Sequence, residues 1–147
     1  MKKVSLVAIS FVLISIGLTW FWNEWARAGY ADLFNAVAPP LYELIGLGDA
    51  RVVALRERYI NFVPFVSLVL VTPGLTLRRR TLGLALGLVF MFVCHLMLNL
   101  TELFQPGVSL PIVPAIVSDA LPLLVWSAVA YPALTGFLAK AGEPEKE

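Results

Sequence analysis

The sequence has little of what a soluble enzyme or a nucleic-acid-binding protein needs. Only 14% of its 147 residues are charged, and it holds one cysteine and one histidine. A single cysteine excludes an internal disulfide and any metal site built from several cysteines. We find no glycine-rich phosphate loop and no Ser/His/Asp set. The net charge of +1, with no basic run away from an apolar segment, argues against nucleic acid as a partner.

Apolar residues are what the chain has in excess. They make up 59% of it, and the mean hydropathy of +0.83 lies outside the usual range of soluble domains. Two apolar runs flank three adjacent arginines, Arg78, Arg79 and Arg80. Because three neighbouring arginines cannot be buried together, we interpret them as the tip of a transmembrane hairpin. A membrane helix needs about 20 apolar residues, so the chain has room for about four.

The predicted fold is a single all-α integral membrane domain with about four transmembrane helices. The expected spans are residues 4–22, 60–77, 82–100 and 119–140. An extracytoplasmic, interfacial helical loop is predicted at 23–58, broken by Pro39-Pro40. The last apolar stretch is longer than one span, so we predict a partial helix at 110–117 and a separate helix capped by Ser118 or Asp119.

The first apolar segment allows two interpretations. Ala26-Arg27-Ala28 has the small-x-small form of a signal peptide cleavage site. The aromatic residues around Trp22 favour instead an uncleaved helix that ends at a membrane interface. Placing both termini and the arginine tip in the cytoplasm gathers most Lys and Arg on one side, in short segments. We therefore predict a multi-pass protein of the bacterial inner (plasma) membrane, with N-in and C-in topology.

The third predicted span contains a set of polar residues on one helical face. His95, Asn99 and Glu102 recur at i, i+4 and i+7. Ionisable groups within a membrane are often functional, so this face is a candidate for handling protons, a metal or a ligand. The alternative, which we favour, is hydrogen bonding between helices. One histidine and one glutamate are too few ligands for zinc, and we predict no metal and no cofactor.

Cys94 and Asp119 complete the candidates for chemistry. Cys94 precedes His95, but adjacent helical side chains point about 100° apart, which argues against an activated thiolate pair. Asp119 is either a helix N-cap, which we favour, or a buried carboxylate facing His95 or the arginines of residues 51–58. A small membrane enzyme or transport component that uses His95, Glu102 and Asp119 is thus the alternative to a non-enzymatic protein.

Two further features suggest what the chain binds. Arg51, Arg56 and Arg58 could hold an anionic headgroup or a substrate carboxylate, which would indicate a lipid-binding protein, or they could anchor a helix end at the interface. Gly83 and Gly87 form a small-xxx-small pattern that lets another helix approach closely. The pattern predicts a membrane-protein partner or a homo-oligomer, in addition to contact with the lipid bilayer.

About half of the chain resembles the small membrane proteins that accompany bacterial exosortases, the multi-span enzymes of protein sorting. The residues that carry the resemblance are Asn61-Phe62-Val63-Pro64-Phe65, Val71-Thr72-Pro73-Gly74, Arg78–Arg80 and Leu121-Pro122-Leu123-Leu124-Val125-Trp126. The resemblance implies an accessory role beside a membrane enzyme rather than catalysis.

Overall fold

Helices account for the regular secondary structure of the described residues. The computed structural model describes residues 2–48, 60–104 and 112–141, and the side chains of 5–48, 60–100 and 119–136. These ranges contain no strand, which confirms the predicted all-α fold. The elements are α1 (Lys2–Phe21), a π-helical turn (Trp22–Ala26), α2 (Arg27–Leu44), α3 (Phe62–Val71), α4 (Leu77–Phe104) and α5 (Ile112–Ala141).

α1 and α2 form one continuous helix. The π-helical turn joins them, and in it the Arg27 N–H donates to the Trp22 carbonyl, five residues earlier. The first predicted span ends at residue 22, where this turn begins, but the backbone remains helical to Leu44. Residues 49–59, which include Arg51, Arg56 and Arg58, lie outside the described residues.

Pro39 and Pro40 lie inside α2, so the prediction that they break the helix is wrong. A proline in a helix removes a hydrogen bond and crowds the carbonyl four residues earlier. Here that cost is offset by packing, because Ala38 and Tyr42, on either side of the prolines, are buried in a cluster with residues of α4. The helix ends instead before Gly46, whose φ of 79° is readily adopted only by glycine.

α3 has ten residues and is shorter than the predicted span at 60–77. The Asn61 side chain caps it by accepting a hydrogen bond of 3.1 Å from the Val63 N–H. At the other end, Pro73 and Gly74 form a turn in which Gly74 has a φ of 80°. At 1.5 Å per residue, α3 is about 15 Å long.

The three arginines lie in the first turns of α4 rather than in a loop between helices. α4 begins at Leu77, five residues before the predicted span, because Thr76 Oγ1 accepts a hydrogen bond of 3.3 Å from the Arg79 N–H. Arg80 donates from Nη2 to the Thr72 carbonyl at 3.0 Å. This bond ties the start of α4 to the end of α3.

Gly83 and Gly87 bring α4 close to its neighbours within the same chain. A methyl group at Gly83 would overlap Val129 of α5, and one at Gly87 would overlap the ring of Phe65 in α3. The small-xxx-small pattern thus permits close helix packing inside the bundle. Gly87 is buried in this packing, and Gly83 is partly exposed. Contact of these glycines with a partner or a second copy of the chain stays a prediction.

α5 is continuous over thirty residues, so the predicted division near Ser118 does not occur. Residues 112–117, predicted as a separate partial helix, are its first turns, and residues 110–111 lie outside the described residues. Pro122 lies inside the helix. Leu121 and Val125, one on each side of it, are buried in the core and hold the helix together there.

α3 lies at the centre of the bundle and supplies much of its main core. Its buried side chains pack with residues of α4 and α5 in one cluster. The buried members of this cluster are Ile60, Phe62, Phe65, Val69, Leu75, Met91, Leu98, Leu121 and Val125.

The helix directions follow from contacts at the two ends of the bundle. We call the turn at residues 72–76, together with Arg78–Arg80, the arginine end. Arg79 Nε donates to the Val129 carbonyl at 3.2 Å, so α5, which starts at Ile112, runs towards this end. At the opposite end, the rings of Trp22 and Phe62 are 5.7 Å apart. α1 therefore ends where α3 begins, and its first residues lie towards the arginine end.

Two helical stretches are long and apolar enough, by length and composition, to cross a membrane. They are Ser5–Leu44 and Leu77–Leu100, which contain 18-residue segments with mean hydropathies of 2.0 and 2.2, respectively. Large apolar side chains on both stretches are exposed, among them Leu13 at 65% and Leu86 at 69%. Extended apolar surface of this kind is unusual on a soluble monomer and is typical of a membrane or protein interface.

Candidate functional site between helices α2 and α4

His95 lies at the centre of an aromatic cluster between α2 and α4. Its side chain is only 1% exposed, and its Nδ1 is 2.6 Å from Tyr30 Oη. In the tautomer protonated at Nε2, the Tyr30 hydroxyl donates to Nδ1. The two rings are nearly parallel, with an angle of 9°, and the Phe34 ring lies 4.6 Å from the imidazole. The imidazole is therefore enclosed by aromatic rings.

A second polar pair lies one turn further along α4. The Tyr42 hydroxyl donates to the Leu96 carbonyl at 3.0 Å and accepts a hydrogen bond of 3.2 Å from Asn99 Nδ2. Tyr42 and Asn99 are both buried. A hydroxyl that both donates and accepts is well suited to a buried site, where an unmet polar group is costly.

The spacing of residues along the two helices explains how these pairs form. Tyr30, Phe34, Ala38 and Tyr42 recur every four residues on α2 and therefore share one face. Tyr30 pairs with His95 and Tyr42 with Asn99, so residue numbers rise together and the two helices run in the same direction. Ala38 is fully buried between the aromatic residues.

Other aromatic side chains surround Tyr30 and connect this site to the rest of the bundle. The Tyr30 ring lies 5.6 Å from Trp22 in the π-helical turn, 5.1 Å from Phe62 at the start of α3 and 5.9 Å from Phe92 on α4. Edge-on and tilted aromatic contacts such as these contribute about 0.5–1.5 kcal/mol each beyond area burial. The cluster thus joins four helical segments around one histidine.

This arrangement provides hydrogen bonds between α2 and α4 in a low-polarity core. A general base must come within about 3 Å of the proton that it removes from a substrate, and here the nearest partner of the imidazole is the Tyr30 hydroxyl. No group of three His, Cys, Asp or Glu side chains among the described residues could hold a metal ion. No family model, no curated protein and no solved structure matches this chain.

The structure separates the residues that the sequence grouped as candidates. His95 and Asn99 both bond to α2, in the manner of the interhelical hydrogen bonds favoured above. The Glu102 side chain lies outside the described side chains. Cys94 is half-buried and packs against the main core around α3. The tyrosine partners of His95 and Asn99 were missed, although the four-residue aromatic spacing of α2 pointed to them.

Asp119 is neither a helix cap nor a partner of His95. It lies inside α5, which begins seven residues earlier at Ile112, so the predicted N-cap role is wrong. Its side chain is exposed, and no hydrogen bond joins it to His95 within the described residues. A site that combines His95 with Asp119, the basis of the alternative enzyme hypothesis, is therefore absent from the described part of the chain.

We expect Asp119→Asn to change the free energy of unfolding by no more than about 0.5 kcal/mol, because the side chain is exposed. The measurement is thermal unfolding in detergent, followed by helical circular dichroism. Asn99→Asp is the matched control and should destabilise the protein strongly, since it places a carboxylate in a buried site. Equal losses for the two variants would show that Asp119 has a structural partner.

A groove at the arginine end was not foreseen from the sequence. It has a volume of about 530 Å³ and lies between α4 and α5, beside the turn that contains Gly74. Arg78 and Arg79 lie at its edge. Nearby, Trp126 Nε1 donates to Thr72 Oγ1 at 2.8 Å, which fixes α5 against the turn. The arginines are thus part of an ordered surface as well as a charge cluster.

Proposed function

We propose that the protein is a four-span integral membrane protein that acts as a non-enzymatic accessory or assembly partner of a larger membrane system. The starts of α1 and α4 and the end of α5 lie towards the arginine end, and all three helix ends are near basic residues (Lys2, Lys3, Arg78–Arg80 and Lys140). Positive charge on one side of a bundle favours that side as cytoplasmic. Both termini then lie in the cytoplasm, and the α2 end faces outward.

This orientation sets the depth of the residues along α4. From Arg80 to His95 the helix rises about 22 Å, so His95 lies in the outer third of a hydrocarbon layer about 30 Å thick. α3 is about half that thickness, and Tyr30 of α2 packs edge-on over its first residue, Phe62. α2 thereby covers the outer end of the shortest of the proposed spans.

The observation that carries the accessory role is the incomplete packing of α1. None of the described residues of α1 is buried, although the helix packs against α3. Its half-buried residues, such as Phe11 and Ile14, face the bundle, and a second apolar face points away from it. This second face consists of Leu6, Ile9, Leu13, Ile16 and Trp20, which are between 56% and 65% exposed.

These five residues follow one another at intervals of three and four. Apolar residues with that spacing form a stripe along one side of a helix, and such a stripe packs against a parallel or antiparallel partner helix. The partner we propose is a transmembrane helix of another membrane protein. Resemblance to the small proteins that accompany exosortases supports a partner that is a membrane enzyme of protein sorting. The enclosed imidazole of His95 supports a role without catalysis.

The test places a photo-crosslinking amino acid at Leu13, on the free face, and as a matched control at Ile14, on the face towards α3. In the native membrane, we expect Leu13 to crosslink in good yield to one integral membrane protein, and Ile14 to crosslink within the chain. Crosslinks from Leu13 to lipid alone would contradict the accessory role. A reporter fused after Lys146 tests the topology separately, since activity outside the cytoplasm would overturn it.

A further inference from the structure

We propose that the groove at the arginine end binds one anionic phospholipid, with its phosphate on Arg78 and Arg79 and an acyl chain along the apolar walls. The proposal rests on the membrane orientation proposed above, in which this end faces the cytoplasmic leaflet. It assigns Arg78 and Arg79 a role beyond their effect on topology.

The shape and lining of the groove match an amphiphilic ligand. Its volume of about 530 Å³ is within the range of about 300–1,000 Å³ that is usual for ligand sites. Leu82 and Leu86 of α4 form one wall, and Val129 and Ala133 of α5 form the other. Leu82 and Leu86 are also exposed, so the apolar wall continues into the surface that would face lipid.

The charge at the edge of the groove matches a phosphodiester. Arg78 and Arg79 are exposed and line the groove, and none of the described residues that line it is acidic. The hydrogen bond from Arg79 Nε to the Val129 carbonyl holds this guanidinium across the groove, between α4 and α5. A guanidinium presents a planar set of donors that matches phosphate oxygens, and basic pockets between membrane helices suit anionic headgroups.

Arg80 has a different role from its two neighbours. It is less exposed, its Nη2 donates to the Thr72 carbonyl, and its Nε is buried in the protein. Arg80 therefore holds the turn, whereas Arg78 and Arg79 face the groove. This division lets the ligand site be altered without changing the hydrogen bond that fixes the start of α4.

The charge test compares phosphatidylglycerol with phosphatidylcholine on the full-length protein in detergent, with bound lipid counted by native mass spectrometry. We expect the protein to retain one phosphatidylglycerol with about a tenfold preference over phosphatidylcholine. The Arg78→Gln/Arg79→Gln variant should lose this preference, and Arg27→Gln, an exposed arginine on α2, should keep it. Equal retention of the two lipids by the unaltered protein would overturn the proposal, as would a preference kept by the double variant.

Two serine variants test whether the acyl chain lies in the groove. Leu86→Ser removes part of one wall, and Leu124→Ser, the control, alters an exposed leucine of α5 that lies outside the groove. Leu86→Ser should reduce phosphatidylglycerol retention about fivefold, and Leu124→Ser should not. Inorganic phosphate at millimolar concentration should leave the lipid bound. Complete displacement by phosphate, or equal effects of the two serine variants, would show an anion site without an acyl chain and overturn the proposal. These measurements need no protein partner, so they can fail independently of the accessory role.

Discussion

Gly87→Ala is expected to lower the free energy of unfolding by about 2 kcal/mol, the usual cost of adding a methyl group where a core has no room. The new methyl group overlaps the ring of Phe65, which is fully buried at the centre of the bundle, so the packing around the ring opposes a shift. Thermal unfolding in detergent, followed by helical circular dichroism, measures the change.

Gly17→Ala is the matched control for this substitution. It also replaces a helical glycine, but nothing lies within 4 Å of the new methyl group. Helix propensity alone should then raise stability by up to about 1 kcal/mol. The double variant Phe65→Leu/Gly87→Ala should recover part of the loss, because leucine lacks the ring atoms that collide. Equal stability of Gly87→Ala and Gly17→Ala would show that α3 and α4 are not in close contact.

His95→Ala is expected to lower the free energy of unfolding by about 3 kcal/mol, because it leaves a cavity between aromatic rings and removes the hydrogen bond to Tyr30. The loss should appear as a lower unfolding midpoint in detergent. Tyr30→Phe, which removes the hydroxyl but keeps the ring, should lower the free energy of unfolding by about 1 kcal/mol.

The control for His95→Ala is Cys94→Ala, which alters the neighbouring, half-buried residue. It should lower the free energy of unfolding by about 1 kcal/mol. In a double-mutant cycle, His95 and Tyr30 should be coupled, because they share one hydrogen bond. If His95→Ala kept full stability and only the cellular function were lost, the histidine would have a chemical role, and the non-enzymatic proposal would be wrong.

The sequence predicted the parts of the fold that depend on local chemistry. Long apolar runs indicated helices. The ends of α3 were missed, because the predicted span continued through Pro73-Gly74 to residue 77, although Asn61 and a Pro-Gly pair are typical of a helix start and a turn. The prolines of α2 and α5 misled the prediction. A proline lowers the stability of its own helix through a local effect. The packing that offsets this loss comes from residues distant in sequence, such as the α4 neighbours of Tyr42.

The candidate site was only partly predicted, again because local geometry could be read from the sequence and contacts between distant segments could not. The spacing of His95 and Asn99 shows that they share a face of α4, since that depends only on helix geometry. Their partners Tyr30 and Tyr42 depend on the direction and rotation of another helix. The groove depends on three separate segments meeting at the arginine end, which no spacing within the chain reveals.

In the π-helical turn at Trp22–Ala26, the number of residues is more important for the packing of the bundle than the identity of the residues. Each helical residue advances the chain by about 100°, so the turn sets the angle between the face of α1 that packs on α3 and the face of α2 that holds Tyr30 and Tyr42. A one-residue deletion here would restore ordinary helical bonding but rotate both tyrosines away from His95 and Asn99. Insertions and deletions in this segment should therefore be tolerated far less well than substitutions of its exposed residues.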